Sequence, residues 1–350
     1  MERKLKLETW LKTQINQPFT LTTASADASF RRYFRVHCDN FEGYKTLIAM
    51  DAPPPQEDCA PFVMVAKLLI DAGLNVPRVL AQDLTNGFLL LSDLGDDTYL
   101  SKLNPENAQA LYADATNALI KMQLASKRDV LPSYDNAMLT REMQLFPDWY
   151  VAKHLGVKLN SDQQQVLSNT FALLNKNSLA QSQVTVHRDY HSRNLMFCLN
   201  ENSDNLNPDN LNPGILDFQD AVCGAITYDL VSLLKDAYIA WDEAQIIDWA
   251  VRYWQNARKA GLPVPADFSE FYRDFEWMGA QRHIKVLGIF ARLSYRDGKD
   301  AYINDMPLVH NYLHKVCERY IELRPMLRLL DHLSGADQHV DANYKSLLKL

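Results

Sequence analysis

The sequence predicts an α+β protein, with a small β-rich N-terminal lobe over residues 1–93 and a larger, mostly helical lobe over residues 94–350. Short apolar runs of strand length cluster before residue 93, whereas later segments repeat apolar residues at helical spacing. One polar stretch interrupts the helical part: HRDYHSRN, residues 187–194, flanked by two short apolar β-like runs. At 350 residues the chain can build two lobes around one cleft and a large core.

Composition narrows the partners. Apolar residues make up 47% and charged residues 23%, as in ordinary globular chains, so no fibrous or disordered class is indicated. The net charge of −7 gives no electrostatic footprint for nucleic acid or an anionic membrane, and neither is expected as a partner. Cys38, Cys59, Cys198, Cys223 and Cys317 are odd in number and form no CxxC pair, which reads as reduced thiols in a cytoplasmic protein. The start, MERKLKLETWLKTQ, is too polar for a signal peptide, and no apolar run is long enough to span a bilayer.

In chain order, Leu7, Trp10, Leu11 and Ile15 predict an amphipathic helix over residues 5–15. Strands follow at 19–21, 30–37 and 46–50, the first two joined by the small-residue loop 23–29. Such a loop can bring backbone N–H groups to phosphates, or be an ordinary hairpin tip; the residues leave both open. After the prolines at 53–55 a helix is expected over 59–71, then strands at 76–81 and 88–91. SDLGDD, residues 92–97, breaks the pattern and marks the lobe boundary, where backbone groups can serve a base-like ring. Helical periodicity then covers 105–127, 141–154, 162–174, 268–296 and 308–330. The tandem DNLNPDNLNP, 204–213, reads as a solvated insertion at a hairpin tip, and the tail 334–343 as polar and mobile.

The hairpin itself carries the chemistry. Residues 195–197 and 214–216 would pair antiparallel, bringing Asn194, at the start of one strand, to Asp217, at the end of the other. Asp/Asn oxygens at one sheet edge suit Mg²⁺, which takes one or two carboxylates plus phosphate and water oxygens. Asp189, just upstream, can act as a base or orient a hydroxyl. An HxD triplet alone also occurs where histidine and aspartate merely satisfy each other. The joint pattern, HxDxHxxN after a strand and then a strand ending in Asp, favours phosphoryl transfer.

HRDYHSRN, LDFQD and the downstream YDL resemble the aminoglycoside/choline phosphotransferase family, and the likeness runs along most of the chain in the same order. It implies a protein-kinase-like two-lobed fold. SADASFRRYFRV, MDAPPPQEDC, GFLLLSDLGDDTYL, REMQLFPDWYVAKHL and QRHIKVLGIFARLSYRDGK are similar to its cell-wall-recycling branch, whose members phosphorylate N-acetylmuramate and N-acetylglucosamine at the anomeric hydroxyl. The resemblance implies ATP and Mg²⁺ as cofactors, a small amino sugar as partner, and a monomer. Two residue patterns separate the chain from protein kinases. His191 stands where they carry lysine, and the short segment between Asp217 and Asp229 leaves no room for a regulated activation loop.

By the same resemblance, Asp189 would accept or orient the acceptor proton, and Asn194 and Asp217 would hold Mg²⁺. His187 and Asp229 would be structural, Asp229 bracing the loop or simply capping a helix. The stretch 24–32, with Ser25, Ala26, Asp27, Ser29 and Arg32, would cover the phosphates. Leu91, Asp93 and Leu94 would lie against adenine. Catalysis would rest on positioning and charge neutralisation.

The chain departs from the family at one place. The usual third-strand lysine is replaced by Met50 in TLIAM, with Lys45 at the strand's start. Arg31, Arg32 or Arg35 could substitute; Arg32 shares strand parity with Phe30 and Phe34, which favours an inward position for it. For the acceptor, His191, Gln219, Asp220 and Glu142 are candidates, and the segment with Trp277, Arg282, Lys285 and Arg292 offers cations. Arg282 would suit a carboxylate-bearing sugar, although a solvated charged face is the commoner origin of such a run. Competing expectations are another small hydroxyl acceptor (aminoglycoside, choline-like or homoserine-like) and an inactive nucleotide-binding scaffold.

Overall fold

The computed structural model describes residues 2–26, 30–127, 129–198 and 212–336. Asp27 and Ser29, most of the DNLNPDNLNP repeat and the tail beyond residue 336 lie outside them.

The chain begins with helix α1 (Glu2–Gln14), strands β1 (Phe19–Ala26), β2 (Arg32–Phe41) and β3 (Tyr44–Asp51), and helix α2 (Ala60–Asp71). Strands β4 (Val79–Asp83) and β5 (Phe88–Ser92) lead to helices α3 (Tyr99–Lys102), α4 (Ala108–Leu124) and α5 (Asn136–Met143). A π-helix (Phe146–His154) and α6 (Ser161–Ala180) follow. Four short strands carry the motif region: β6 (Gln183–Val186), β7 (Leu195–Met196), β8 (Gly214–Ile215) and β9 (Val222–Ala225). Helices α7 (Tyr228–Leu234), α8 (Glu243–Lys259), α9 (Phe268–Asp297), α10 (Met306–Arg319) and α11 (Arg324–Ala336) complete it.

Two compact units result, Met1–Met122 with Arg193–Ala221, and Gln123–Ser192 with Val222–Leu350. The lobe boundary expected at residue 93 falls inside the first unit. The reason is backbone bonding: Ile215 N donates to Asn75 O (2.8 Å) and Phe197 N to Asp97 O (2.7 Å).

In the first unit, the sheet order is β1-β2-β3-β5-β4, antiparallel throughout. Strand alternation gives the sheet two faces. Phe34, Val36, Leu47, Ala49, Phe88 and Leu90 form a core with Leu7 and Leu11 of α1 and with Ile15 just after it. Tyr33, Arg35, Ile48 and Leu91 point to the other face. Strand β1 runs on through Ala26, beyond the end expected at residue 21. It pairs Ser25 with Tyr33 and Ala26 with Arg32 across a bulge between Thr23 and Ser25, so the small residues extend the sheet before the loop begins.

In the second unit, α9 is the axis. Residues 275–288 are all buried, so this helix is covered on every side. The helix expected over 141–154 is instead split into α5 and the π-helix. Pro147 lacks the N–H that would continue the α-helical ladder, and downstream Leu155 N reaches back to Tyr150 O (2.9 Å). The backbone at Leu145 packs against Gly288, where a Cβ would lie 2.3 Å from a main-chain carbon. The helix expected over 308–330 divides at residues 320–323, with Pro325 opening the next segment as a first-turn proline.

Candidate active site

The first group of motif residues is set by hairpin register. Leu195 pairs with Ile215 and Met196 with Gly214, and Leu216 N donates to Asn194 O (2.9 Å) one step further. Asn194 and Asp217 therefore end neighbouring strands, with Asn194 Nδ2 3.5 Å from Asp217 Oδ2. Asp217 has a positive φ of 63°, a left-handed conformation uncommon outside glycine that aspartate adopts more readily than most, and it turns the chain sharply at the carboxylate. Gln219 Nε2 donates to Asp217 Oδ1 (2.8 Å) and lies 3.3 Å from Asp220. Gln219 thus orients Asp217, and Asp220 is exposed.

Beside this edge is a cavity of about 300 Å³, bounded by Tyr33 and Ile48 of the sheet, by Leu91 and Leu94, and by Asn194 and Asp217. Ala24 also lines it, and Asp93 does so with its side chain engaged: Arg35 donates to both its oxygens (2.6 and 3.2 Å) and to Asp96. Arg32 is a correction. Its parity with Phe34 places it on the α1 face of the sheet, where it pairs with the fully buried Asp51, as does Arg3. Arg31 lies just before β2. Its Nε donates to Glu57 (3.0 Å) and its Nη1 lies 3.8 Å from Asp217 Oδ1.

The second group surrounds Asp189. Two buried carboxylates hold the backbone of its loop. Asp229 accepts from His187 N (2.6 Å) and Arg188 N (3.0 Å), Arg188 having a φ of 78°. Asp229 does not cap α7, whose N-cap is Thr227. Asp236 accepts from Ser192 N (2.9 Å) and Ser192 Oγ (2.5 Å). The His187 ring packs edge-on against Tyr190, and its Nδ1 is 3.3 Å from Asp189 N.

Asp189 is half-exposed, but a set of cations lies behind it. Arg282 Nη2 is 3.9 Å from Asp189 Oδ1, with a side chain only 4% exposed. Among the described residues, Arg282 Nε has no hydrogen-bond partner. The expectation of a solvated charged face on α9 is overturned: Arg282 and Lys285 are both buried. Crowding alone would raise the Asp189 pKa, but Lys285, His191, Arg282 and Arg188 outweigh it and bring it down to about 2. His191 is buried against Tyr238, and burial lowers its pKa.

Glu142 is a second correction. It is not free to meet an acceptor, because it accepts from Tyr134 and Arg188 and lies 3.2 Å from Lys285 Nζ. Lys285 also donates to Tyr228 (3.0 Å). Burial raises the Glu142 pKa, but Lys285 and Arg188 hold it below the ordinary value. Trp277 is likewise no platform for a ligand; it sits in the core with Tyr320 edge-on and Arg273 over its ring.

Residues 20–268 match the family described as "Phosphotransferase enzyme family". The chain belongs to this family. A relative from Pseudomonas aeruginosa named N-acetylmuramate/N-acetylglucosamine kinase is 51% identical over 321 residues, 91% of this chain and 90% of its own. One of the same name from Neisseria meningitidis is 47% identical over 343 residues, 97% and 98% of the two chains. Among solved structures, a choline/ethanolamine kinase family protein from Mesorhizobium loti superposes with a TM-score of 0.60. At 14% identity over 94% of this chain and 99% of the other, it shows the fold, the kinase-like α+β architecture.

The phosphotransferase also uses residues that sequence reasoning passed over. Asp236 left one trace, its seven-residue spacing from Asp229, but it follows the end of α7 and so carries no clean helical signal. Tyr134 and Tyr228, 5.3 Å apart between ring centroids, complete the pocket around Glu142, and nothing local in the sequence pairs residues so far apart.

Proposed function

We propose that this phosphotransferase moves the γ-phosphate of ATP to the anomeric hydroxyl of N-acetylmuramate and N-acetylglucosamine. The two relatives bearing those sugars in their names support the acceptor class. The observation that carries the reading is the buried Arg282 guanidinium beside the half-exposed Asp189. A fixed cation at the acceptor end of a catalytic carboxylate suits a sugar with a carboxylate of its own. The same cations oppose a polycationic acceptor such as an aminoglycoside.

Asp189, ionised near pH 7, would accept a hydrogen bond from the sugar hydroxyl and orient its oxygen. With a pKa near 2 it is a weak base, so its work is orientation until the proton becomes acidic late in transfer. Asp229 and Asp236 keep the loop rigid from both ends, and Glu142 holds Arg188 and Lys285 where they neutralise charge. Leu91 to Leu94 would lie against the adenine, with Ala24 toward the phosphates.

Asn194 and Asp217 fit Mg²⁺, since a carboxylate and a carboxamide meet at one hairpin edge. An ion held there would take its remaining ligands from phosphate and water. When bound, Mg²⁺ would neutralise the β- and γ-phosphate charge. Gln219 would keep the Asp217 carboxylate oriented.

The test is ³¹P NMR of the product after incubation with MgATP and each sugar, with Asp189→Asn as control. An acid-labile sugar 1-phosphate, absent from the control, is the expected result; no product from either sugar would overturn the acceptor assignment. Arg282→Ala should harm N-acetylmuramate turnover more than N-acetylglucosamine turnover, and an equal loss would remove Arg282 as the carboxylate contact.

A further inference from the structure

We infer that Arg31, held by Glu57, is the protein's contact to the donor triphosphate, taking over the charge that Met50 cannot supply. The inference rests on the ATP-dependent reading above.

A bound triphosphate carries several negative charges, more than one divalent ion offsets, so side-chain cations are needed at the phosphate end of the cavity. The central strand offers none there. Met50 lies opposite Tyr33 on the cavity face and is 1% exposed. Arg32 faces α1 and is held by Asp51. Arg35 is on the correct face but answers to Asp93, Asp96 and the Gly95 carbonyl, which ties β2 to the segment after β5.

Arg31 is placed differently. It lies just before β2, its side chain is 12% exposed, and its Nη1 lies 3.8 Å from the Oδ1 of Asp217, a carboxylate that lines the cavity. Glu57 fixes it from behind. The Oε2 of Glu57 takes Arg31 Nε at 3.0 Å, while Oε1 takes Phe30 N at 3.1 Å. One carboxylate thus sets both the guanidinium and the backbone that carries it, at the end of the loop expected to cover the phosphates. With Nε committed to Glu57, Nη1 is directed at the Asp217 edge, and a guanidinium can meet two phosphate oxygens at once.

The experiment is calorimetric titration of the full chain with ATP and with AMP in excess Mg²⁺, for wild type, Arg31→Ala, Arg31→Lys and Glu57→Gln. Losing a charge-assisted phosphate contact should weaken ATP binding by about 10- to 100-fold in Arg31→Ala. AMP binding should be unchanged, which also reports an intact pocket. Arg31→Lys should recover part of the loss, and Glu57→Gln should show the same pattern more weakly. Equal ATP affinity in Arg31→Ala, or an equal loss for ATP and AMP, would overturn the inference. Because the titration needs no acceptor, a sugar that fails to react counts against the proposed function alone, and a wild type that binds no ATP counts against the donor.

Discussion

Asn194 and Asp217 are held by a hairpin with two residues in each strand, whereas the surroundings of Asp189 are held by a thirty-residue helix buried through its middle. In the first case the main chain does the positioning: register alone brings the two side chains to the same edge, and one neighbour, Gln219, trims the carboxylate. In the second, side chains from several elements do it, through the hydrogen bonds and ion pairs that join Glu142, Arg188, Lys285, Tyr134 and Tyr228. The difference teaches where each group should be fragile. The hairpin group should fail locally and be rescued by metal; the Asp189 group should fail together, with loss of stability.

The largest effect should come from Asp189→Asn, which keeps shape and removes the charge that orients the acceptor. We expect kcat to fall by about 10²- to 10⁴-fold with ATP affinity unchanged, measured by steady-state kinetics and titration. A comparable loss of ATP binding would mean that the two groups are not separable. Next, Glu142→Ala leaves Lys285 and Arg188 buried without their shared carboxylate. It should cost about 3–5 kcal/mol in denaturant unfolding, and a change below about 1 kcal/mol would break the contrast. Gln219→Ala should be milder, raising the Mg²⁺ concentration needed for half-maximal rate about tenfold while leaving unfolding unaltered.

The smallest effect is with pH. Burial raises the Asp229 pKa to about 6, opposed by His187 and by the two backbone N–H groups. The ionised form accepts both N–H groups, so kcat should fall to about half near pH 6 while Asp189, near 2, stays ionised. The sign for stability is the reverse. A carboxyl whose pKa is raised on folding contributes stability below about pH 4, lost as pH rises through about 6. A rate limb near pH 6 that persists in an Asp229→Asn variant would assign the titration to another group.

Much of the molecule could be read in the chain. The α1 apolar positions, the alternating β2 and β3, and the apolar runs beside HRDYHSRN each state a face or a pairing through their own period, because helix and strand geometry repeat locally. The Asn194–Asp217 meeting was legible for the same reason: two runs joined by one loop can pair in few registers. Parity was legible too, but not its consequence. Arg32, Phe34 and Val36 share a face, and the sequence does not say that α1 covers it while Tyr33 and Arg35 face the cavity.

By itself, then, the sequence determined the α+β class, most of the strand and helix order, and the identity of the motif residues on their hairpin and loop. The tertiary structure decided which arginine faces the cavity, that Glu142 holds cations rather than ligand, and that Arg282 and Lys285 are buried. The physical reason lies in α9. Its charges recur around the helix and locally resemble a solvated surface, yet Asp189, Glu142 and Tyr228 from distant segments offset them and make their burial tolerable. That compensation exists only after folding, so no local pattern in the chain could announce it.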